Sequence, residues 1–342
     1  MGVDISGIVE FKQIELSRLA LKKIGVDAFN TLYQFLSIIR QIDGSPLMDS
    51  KGRVTSHLSG IFYRTINMLK AGIKPCFVFD GKAPVFKKKT QELRNEIKEK
   101  ALAEYEKAIE AGDLKKAFSK ASQTSRLTSE MIESSKKLLE HMGLPVIQAP
   151  SEGEAQASFM AQKNEFFAVG SQDFDSLLFG APRLVRNLAL SGKRKLPGKQ
   201  VFVKVEPEII ELNDVLTSLG LTHEQLIILG ILTGTDYNPG GVKGIGPKKA
   251  LKLVLDKKNF DAVFREISWD FDVSPEQIFE LFKNPDVLKD YSAPEWKPMD
   301  IEKVKKMLCD EYEFSEERVD SAYKKFLEEK KSGSQMSLAG FK

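Results

Sequence analysis

Phe166-Phe167-Ala168-Val169-Gly170-Ser171-Gln172-Asp173-Phe174-Asp175 is the stretch on which the fold turns. Four apolar residues running into Gly-Ser read as a short buried strand, and two aspartates lie just beyond its C-terminal end. The pattern recurs upstream, where Ile24–Val26 runs into Asp27 and Cys76–Phe79 into Asp80. Helical periodicities lie between these runs, at Thr31–Ile42, His57–Leu69 and Thr128–Met142, the last stopped by Gly143 with Pro145 behind it. Strands alternating with helices predict an α/β fold with a mostly parallel central sheet flanked by helices. In such sheets ligands bind beyond the carboxyl ends of the strands. Three strands that each run into aspartate therefore predict carboxylates gathered along one edge.

Residues 82–126 interrupt the alternation; rich in Lys, Glu and Ala, they read as one or two inserted helices. Residues 183–204 read as a basic hairpin or loop, Glu206–Leu232 as helix, and Val242–Gly246 as a Gly-rich turn. A final helical region reaches about Lys331, and the tail from Ser332 is expected to be flexible. The chain has 342 residues, 42% hydrophobic and 29% charged, a globular composition with room for a real core. Its best apolar run, Leu226–Leu232, falls far short of the ~18 residues of a membrane span. Asp4 and Glu10 break up the N-terminus, so no signal peptide is expected. Cys76 and Cys309, with His57, His141 and His223, are too few for a disulfide framework or a zinc site.

The net charge is only +3, but the charge is unevenly placed. From Lys82 to Arg126 there are twelve basic residues against seven acidic; from Arg183 to Lys204, seven basic and no acid; from Lys243 to Lys258, six Lys and one Asp. Three basic blocks in a nearly neutral chain point to a polyanion held in several places, hence nucleic acid.

Two further segments carry acids. Pro150-Ser151-Glu152-Gly153-Glu154 precedes the helix-like Ala155–Gln162, and Thr233-Gly234-Thr235-Asp236 follows an apolar helix. Taken singly, Ser151-x-x-Glu154 fits a capping box, and an aspartate after a strand commonly serves a turn. Taken together, one metal site explains all of them. Crowded carboxylates raise one another's pKa unless a cation neutralises them. Mg²⁺ takes oxygen ligands and keeps some of its water. Two such ions about 4 Å apart activate water and stabilise the leaving oxygen in phosphodiester cleavage.

Val26-Asp27-Ala28, Phe77-Val78-Phe79-Asp80-Gly81-Lys82, Ala149-Pro150-Ser151-Glu152-Gly153-Glu154-Ala155, Asp173-Phe174-Asp175 and Gly234-Thr235-Asp236-Tyr237 follow one another in an order and spacing that resemble the flap endonucleases, the structure-specific 5′ nucleases of replication and repair. Met1-Gly2-Val3 and the stretch Thr55–Thr65 look like that family as well, the resemblance spans the chain, and the short C-terminus is similar to the archaeal branch. The resemblance implies a Mg²⁺-dependent DNA endonuclease that cuts 5′ flaps where duplex meets single strand, with 5′ exonuclease activity, leaving a 5′-phosphate and a 3′-hydroxyl. The alternative is a non-catalytic DNA-junction binding protein, which would not need every acid.

Carried over residue by residue, the resemblance assigns two Mg²⁺ ions to Asp27, Asp80, Glu152, Glu154, Asp173, Asp175 and Asp236. It assigns contact with the scissile phosphate to Lys87 and Arg94, and base stacking to Tyr33. Gly2 would approach the active site. Lys243, Gly244, Gly246, Lys248 and Lys249 would grip the duplex through a helix–turn–helix element, whose loop holds a K⁺ ion in the family. Gln335, Leu338 and Phe341 resemble the peptide with which the family docks on the sliding clamp, although Lys342 stands where a second aromatic is usual. The expected division is 1–81 and 127–236 for the α/β core, 82–126 for a helical arch that admits the single-stranded 5′ end, 237–258 for the helix–turn–helix, 259–331 for a C-terminal helical region and 332–342 for the clamp-binding tail. A monomer with no membrane contact is expected, in the cytoplasm of an archaeal cell or the nucleus of a eukaryotic one.

Overall fold

A computed structural model describes residues 2–82, 84, 87–190, 192–195 and 202–339, with side chains at all of these except 88–91, 93, 94, 192–195, 202–204 and 331–339. The central sheet is built first from β1 (Lys12–Gln13), β2 (Lys23–Asp27), β3 (Lys74–Phe79), β4 (Val146–Gln148), β5 (Ala168–Gly170) and β6 (Arg183–Arg186). A small hairpin, β7 (Gly192–Lys195) and β8 (Phe202–Val205), follows, and β9 (Glu208–Glu211) returns to the main sheet. The order across the seven strands is β1-β9-β6-β5-β2-β3-β4. β6, β5, β2, β3 and β4 run parallel, while β9 and β1 add an antiparallel edge. The three strands expected at 24–26, 76–79 and 166–169 are all central, and β2 lies between the other two.

Two of the sequence expectations are corrected here. Arg183–Arg186 belongs to the main sheet, so only the later part of 183–204 forms the hairpin. Glu208–Glu211, expected within a helix, is a strand held between β6 and β1. Its short Glu-Ile-Ile-Glu run has no period of its own, and pairing on both sides decides it.

Helices cover both faces, as a parallel sheet requires. On one face, α1 (Ala28–Ile38), α2 (Ser56–Lys70) and α5 (Ser129–His141) pack on Val26, Phe77 and Phe79. On the other, α6 (Gly153–Gln162) packs on Cys76, Val78 and Val169. Between α2 and α5 the inserted segment forms α3 (Lys88–Glu110) and α4 (Leu114–Ala121), turning at Gly112. Ser37 Oγ and Arg40 Nη2 of the α1 region bind Ser122 O and Ser125 Oγ, which pins the insertion's exit to the core.

Beyond the sheet come α7 (Asp175–Leu178), α8 (Leu212–Leu219) and α9 (His223–Thr233). The middle of α9, Leu226–Leu232, is wholly buried, which explains its uniformly apolar sequence. α10 (Pro247–Lys257), α11 (Phe260–Phe264) and α12 (Pro275–Lys283) complete this side, α13 (Ile301–Lys305) packs with α2 and α5 on the other face, and α14 runs Glu316–Ala339. α14 thus continues past Ser332, where a flexible tail was expected; apart from Gly333, the residues from 330 to 339 do not oppose helix. Among the described residues no single helix is long and apolar enough to cross a membrane.

Candidate active site

The sheet brings the predicted carboxylates to one edge. Asp27 ends β2 and opens α1, accepting the main-chain N–H of Asn30 at 3.0 Å. Asp80 follows β3, and its Oδ1 accepts the Gly153 N–H at 2.8 Å. That contact settles the capping question. The N-cap of α6 is Glu152, with no side-chain cap of its own; the free N–H at the helix start is met by Asp80 from another strand. A β-carbon on Gly153 would come within 2.7 Å of that Asp80 oxygen, so only glycine fits. Glu154 is thereby released from capping duty and points inward, 8% exposed, its Oε1 accepting from Ser176 Oγ at 2.9 Å.

Past β5, the loop 171–173 presents Asp173, and Asp175 opens α7. The N-terminal segment closes over both. The main-chain N–H of Gly2 bonds to Asp173, and that of Val3 to Asp175 at 2.6 Å. A β-carbon at position 2 would lie 2.5 Å from the Asp175 carboxylate, a physical reason for Met-Gly at the start of this chain.

The charges feel one another. Burial, then repulsion from Asp80, Asp173 and Glu152, pushes Asp27 well above the usual carboxylate range. Glu154 is raised in the same way, by burial and by Asp27, Asp173 and Asp175. Asp175 is pushed up to about 8 by burial with Asp236 and Asp173 beside it, Asp80 to about 6 by burial and Glu152, and Asp173 also upward, chiefly by burial. These couplings join all seven predicted acids into one cluster.

Lys87, at the start of α3, places its ammonium inside this cluster, 2.7 Å from Glu152 Oε1 and 3.3 Å from Asp236 Oδ2. Burial alone would lower its pKa, but Glu152, Asp236 and Asp80 outweigh burial and raise it. Tyr237 lies beneath, its ring 5.9 Å from that ammonium. The donor set fits hard divalent cations: carboxylate oxygens only, with Asp27, Asp80, Glu154, Asp173 and Asp175 raised by burial and mutual repulsion. Among the described residues no three of them close into a tight ligand cage. An open edge of mutually repelling acids suits Mg²⁺, which completes its shell with water.

The other predicted residues lie on several elements. Tyr33 is 38% exposed on α1, not in the core, with Lys98 of α3 4.9 Å over its ring. Arg94 lies on α3 two turns beyond Lys87; its side chain is outside the described residues. Lys243, Gly244, Gly246, Lys248 and Lys249 form the exposed loop and first turn of α10, with Gly246 as N-cap and Pro247 in the first turn. Lys249 Nζ donates to Gly244 O at 3.0 Å. Gln335 and Leu338 fall on α14, and Phe341 lies outside the described residues.

Sequence reasoning missed the residues that hold the acids. Asn30 bonds to both Asp27 and Asp173. Arg186 on β6 clasps the loop around Asp173: its Nε donates to Gln172 O at 3.2 Å, its guanidinium lies 4.7 Å over the Phe174 ring, and Glu208 pairs with it at 3.2 Å. An Asp-x-x-Asn at a helix start is a visible signal for the first. Arg186 has none, because its partners are distant in sequence or main-chain.

Comparison with known proteins agrees with this geometry. The family model described as XPG N-terminal domain matches residues 4–101, and the XPG I-region model matches 143–236, the two segments that supply the acids. Flap endonuclease 1 of Thermofilum pendens is 55% identical over 324 residues, 94% of this chain and 93% of that protein. Flap endonuclease 1 of Pyrococcus furiosus is 55% identical over 338 residues, 99% and 98% of the two chains. The solved structure of flap endonuclease-1 from Methanococcus jannaschii aligns with a TM-score of 0.73 at 42% identity, covering 96% of this chain and 98% of that one. The catalytic core of Rad2 in complex with DNA substrate shares the fold, with a TM-score of 0.70 at 24% identity over 92% of this chain and 96% of that one. With over half its residues shared with the Thermofilum and Pyrococcus proteins along nearly its whole length, the chain belongs to the flap endonuclease family of structure-specific nucleases.

Proposed function

We propose that Asp27, Asp80, Glu152, Glu154, Asp173, Asp175 and Asp236 hold two Mg²⁺ ions and that hydrolysis of a 5′ flap takes place at this edge. The observation that carries the reading is the convergence of these acids, from strand ends far apart in sequence, with Lys87 as the cation among them. When bound, the ions activate water and neutralise charge on the leaving oxygen. Lys87 lies where a scissile phosphate would enter, and its raised pKa keeps it protonated to meet the developing phosphoryl charge. Arg94, two turns along α3, extends that positive line by about 10 Å. α3 and α4 serve as the arch whose basic residues track single-stranded phosphates, and the exposed Tyr33 offers a base a stacking face. Lys243, Lys248 and Lys249, with the open backbone at Gly244 and Gly246, suit duplex phosphates at the N-terminus of α10. K⁺ at that loop would draw on main-chain carbonyl oxygens, of which Gly244 O accepts from the exposed Lys249 ammonium.

The working molecule on this reading is a cytoplasmic monomer that acts on DNA and docks on the sliding clamp through Gln335, Leu338 and Phe341. A clamp titration with the full chain and with a chain ending at Lys331 tests the docking; equal binding by both would place the contact elsewhere. The central test is one gel with double-flap DNA, a 5′ overhang and plain duplex, each with Mg²⁺ and with chelator. Cleavage at the flap junction with Mg²⁺ alone is expected, and cleavage that survives chelation would overturn the metal assignment.

A further inference from the structure

Asn30 touches two of the acids at once, through different atoms. Its main-chain N–H donates to Asp27 Oδ1 at 3.0 Å, and its side-chain Nδ2 donates to Asp173 Oδ2 at 2.9 Å. The orientation of the carboxamide is set from behind. Its Oδ1 accepts from Gln34 Nε2 at 2.7 Å, one turn along α1, and the Gln172 main-chain N–H lies 3.4 Å from the same oxygen. A main-chain N–H can only donate, so the oxygen must face Gln172 and the amide group must face Asp173. Asp27 and Asp173 belong to neighbouring strand ends, β2 and β5, and Asn30 ties them together from the rigid first turn of a helix.

The chemistry of the side chain suits that place. A carboxylate at the edge of a like-charged cluster is free to swing away from its neighbours unless something holds it. A lysine or arginine would hold it but would compete with a metal for its charge, and an aspartate would add to the repulsion. A neutral amide donor fixes the carboxylate and leaves its charge available.

We propose that Asn30 is a positioning residue for the metal site: it holds Asp173 at a fixed distance from Asp27, ready for a divalent cation, with Gln34 fixing the direction of its carboxamide. The inference rests on the reading of the acid cluster as a divalent-metal site. Residues that orient a metal ligand typically change affinity by about 10–100-fold when removed.

Mn²⁺ is the probe, since the free ion is counted directly by electron paramagnetic resonance without any cleavage assay. Asn30→Ala and Asn30→Leu both keep the main-chain bond to Asp27 and lose the one to Asp173. Both are expected to bind Mn²⁺ about 10-fold or more weakly, with Gln34→Ala a smaller loss in the same direction. Flap-DNA binding in chelator should stay within about twofold, and lost cleavage should return as Mn²⁺ is raised. Mn²⁺ affinity within about twofold of the parent, in a variant that melts with the parent, would overturn the assignment. If the alanine variant melts early, the leucine variant, which keeps the volume, supplies the measurement. A parent chain that binds no Mn²⁺ would instead remove the metal reading itself.

Discussion

Asp27 caps α1 and belongs to the acid cluster at the same time, so a capping role and a metal role are not rivals at this position. At Ser151–Glu154 they are rivals, and Asp80 takes the capping duty from outside. The acids were legible because Asp27, Asp80, Asp173 and Asp175 stand at or soon after strand ends in an α/β pattern, while Glu152 and Glu154 open a helix and Asp236 follows one. Asn30 and Arg186 were not, because their role exists only once distant segments have met. Replacing Asp173 or Asp175 by Asn keeps the shape and removes the ligand charge. Single-turnover cleavage should fall by several orders of magnitude while flap binding stays within about tenfold, because phosphate contacts carry the affinity; unchanged cleavage by Asp173→Asn would contradict the site. His57 gives a prediction about stability. Its Nε2 lies 3.0 Å from Ser134 Oγ, whose own proton goes to Met131 O, so Nε2–H is the donor and Nδ1 is left buried without a partner. Burial pushes its pKa down to about 4. The unfolded chain, with a histidine near 6.5, therefore takes up a proton that the folded chain refuses. The neutral ring's stability is whole above pH 6.5 and is lost as pH falls towards 4, amounting to about 2–3 kcal/mol near pH 4.5. Urea unfolding at pH 7.5 and 4.5 isolates this loss as a difference: the drop in pH should cost the parent about 2–3 kcal/mol more than it costs His57→Gln.

At the scale of elements, strands whose apolar runs stop at a turn were readable, and strands made only by their neighbours were not. β2, β3 and β5 announce themselves; β9 and β6 do not, since Glu-Ile-Ile-Glu and Arg-Leu-Val-Arg are short, flanked by charge and compatible with helix or loop. The insertion was readable as helix because its Lys, Glu and Ala are strong helix formers with nothing to pack as strand. Its use was less visible. The first residue of α3 is preceded by Lys87, whose ammonium sits among the acids, so the arch is tied at its root to the chemistry and not merely placed above it. Lys87→Ala and Arg94→Ala should each lower the single-turnover rate by about 10²-fold or more while raising the flap-DNA dissociation constant only a few-fold, because their charge matters most at the transition state. A change confined to the dissociation constant would make that residue a tether.

Over the whole molecule the cluster sets a stability profile opposite in slope to that of His57. Asp27, Asp80, Glu154, Asp173 and Asp175 all hold their protons more tightly folded than unfolded. For an acid raised in the folded state, stability is whole below the unfolded value, near pH 4, and is lost as pH rises through the folded one. With Asp80 at about 6 and Asp175 at about 8, the metal-free protein should lose stability steadily from about pH 4 to 8, by an amount on the order of a few kcal/mol. Divalent cations bind the deprotonated form, so they should restore stability most where the loss is greatest and release protons as they bind. Melting in chelator and in saturating Mg²⁺, from pH 5.5 to 8.5, separates the two effects. The gap between the two curves should widen as pH rises, while the acid-side decline from His57 should stay in both. Mg²⁺ in an unbuffered solution at pH 7 should also acidify it, and Asp175→Asn, which removes the group pushed highest, should reduce both the proton release and the widening of the gap. A constant gap across that range would mean that the carboxylates are already ionised without metal and that their crowding costs the fold little.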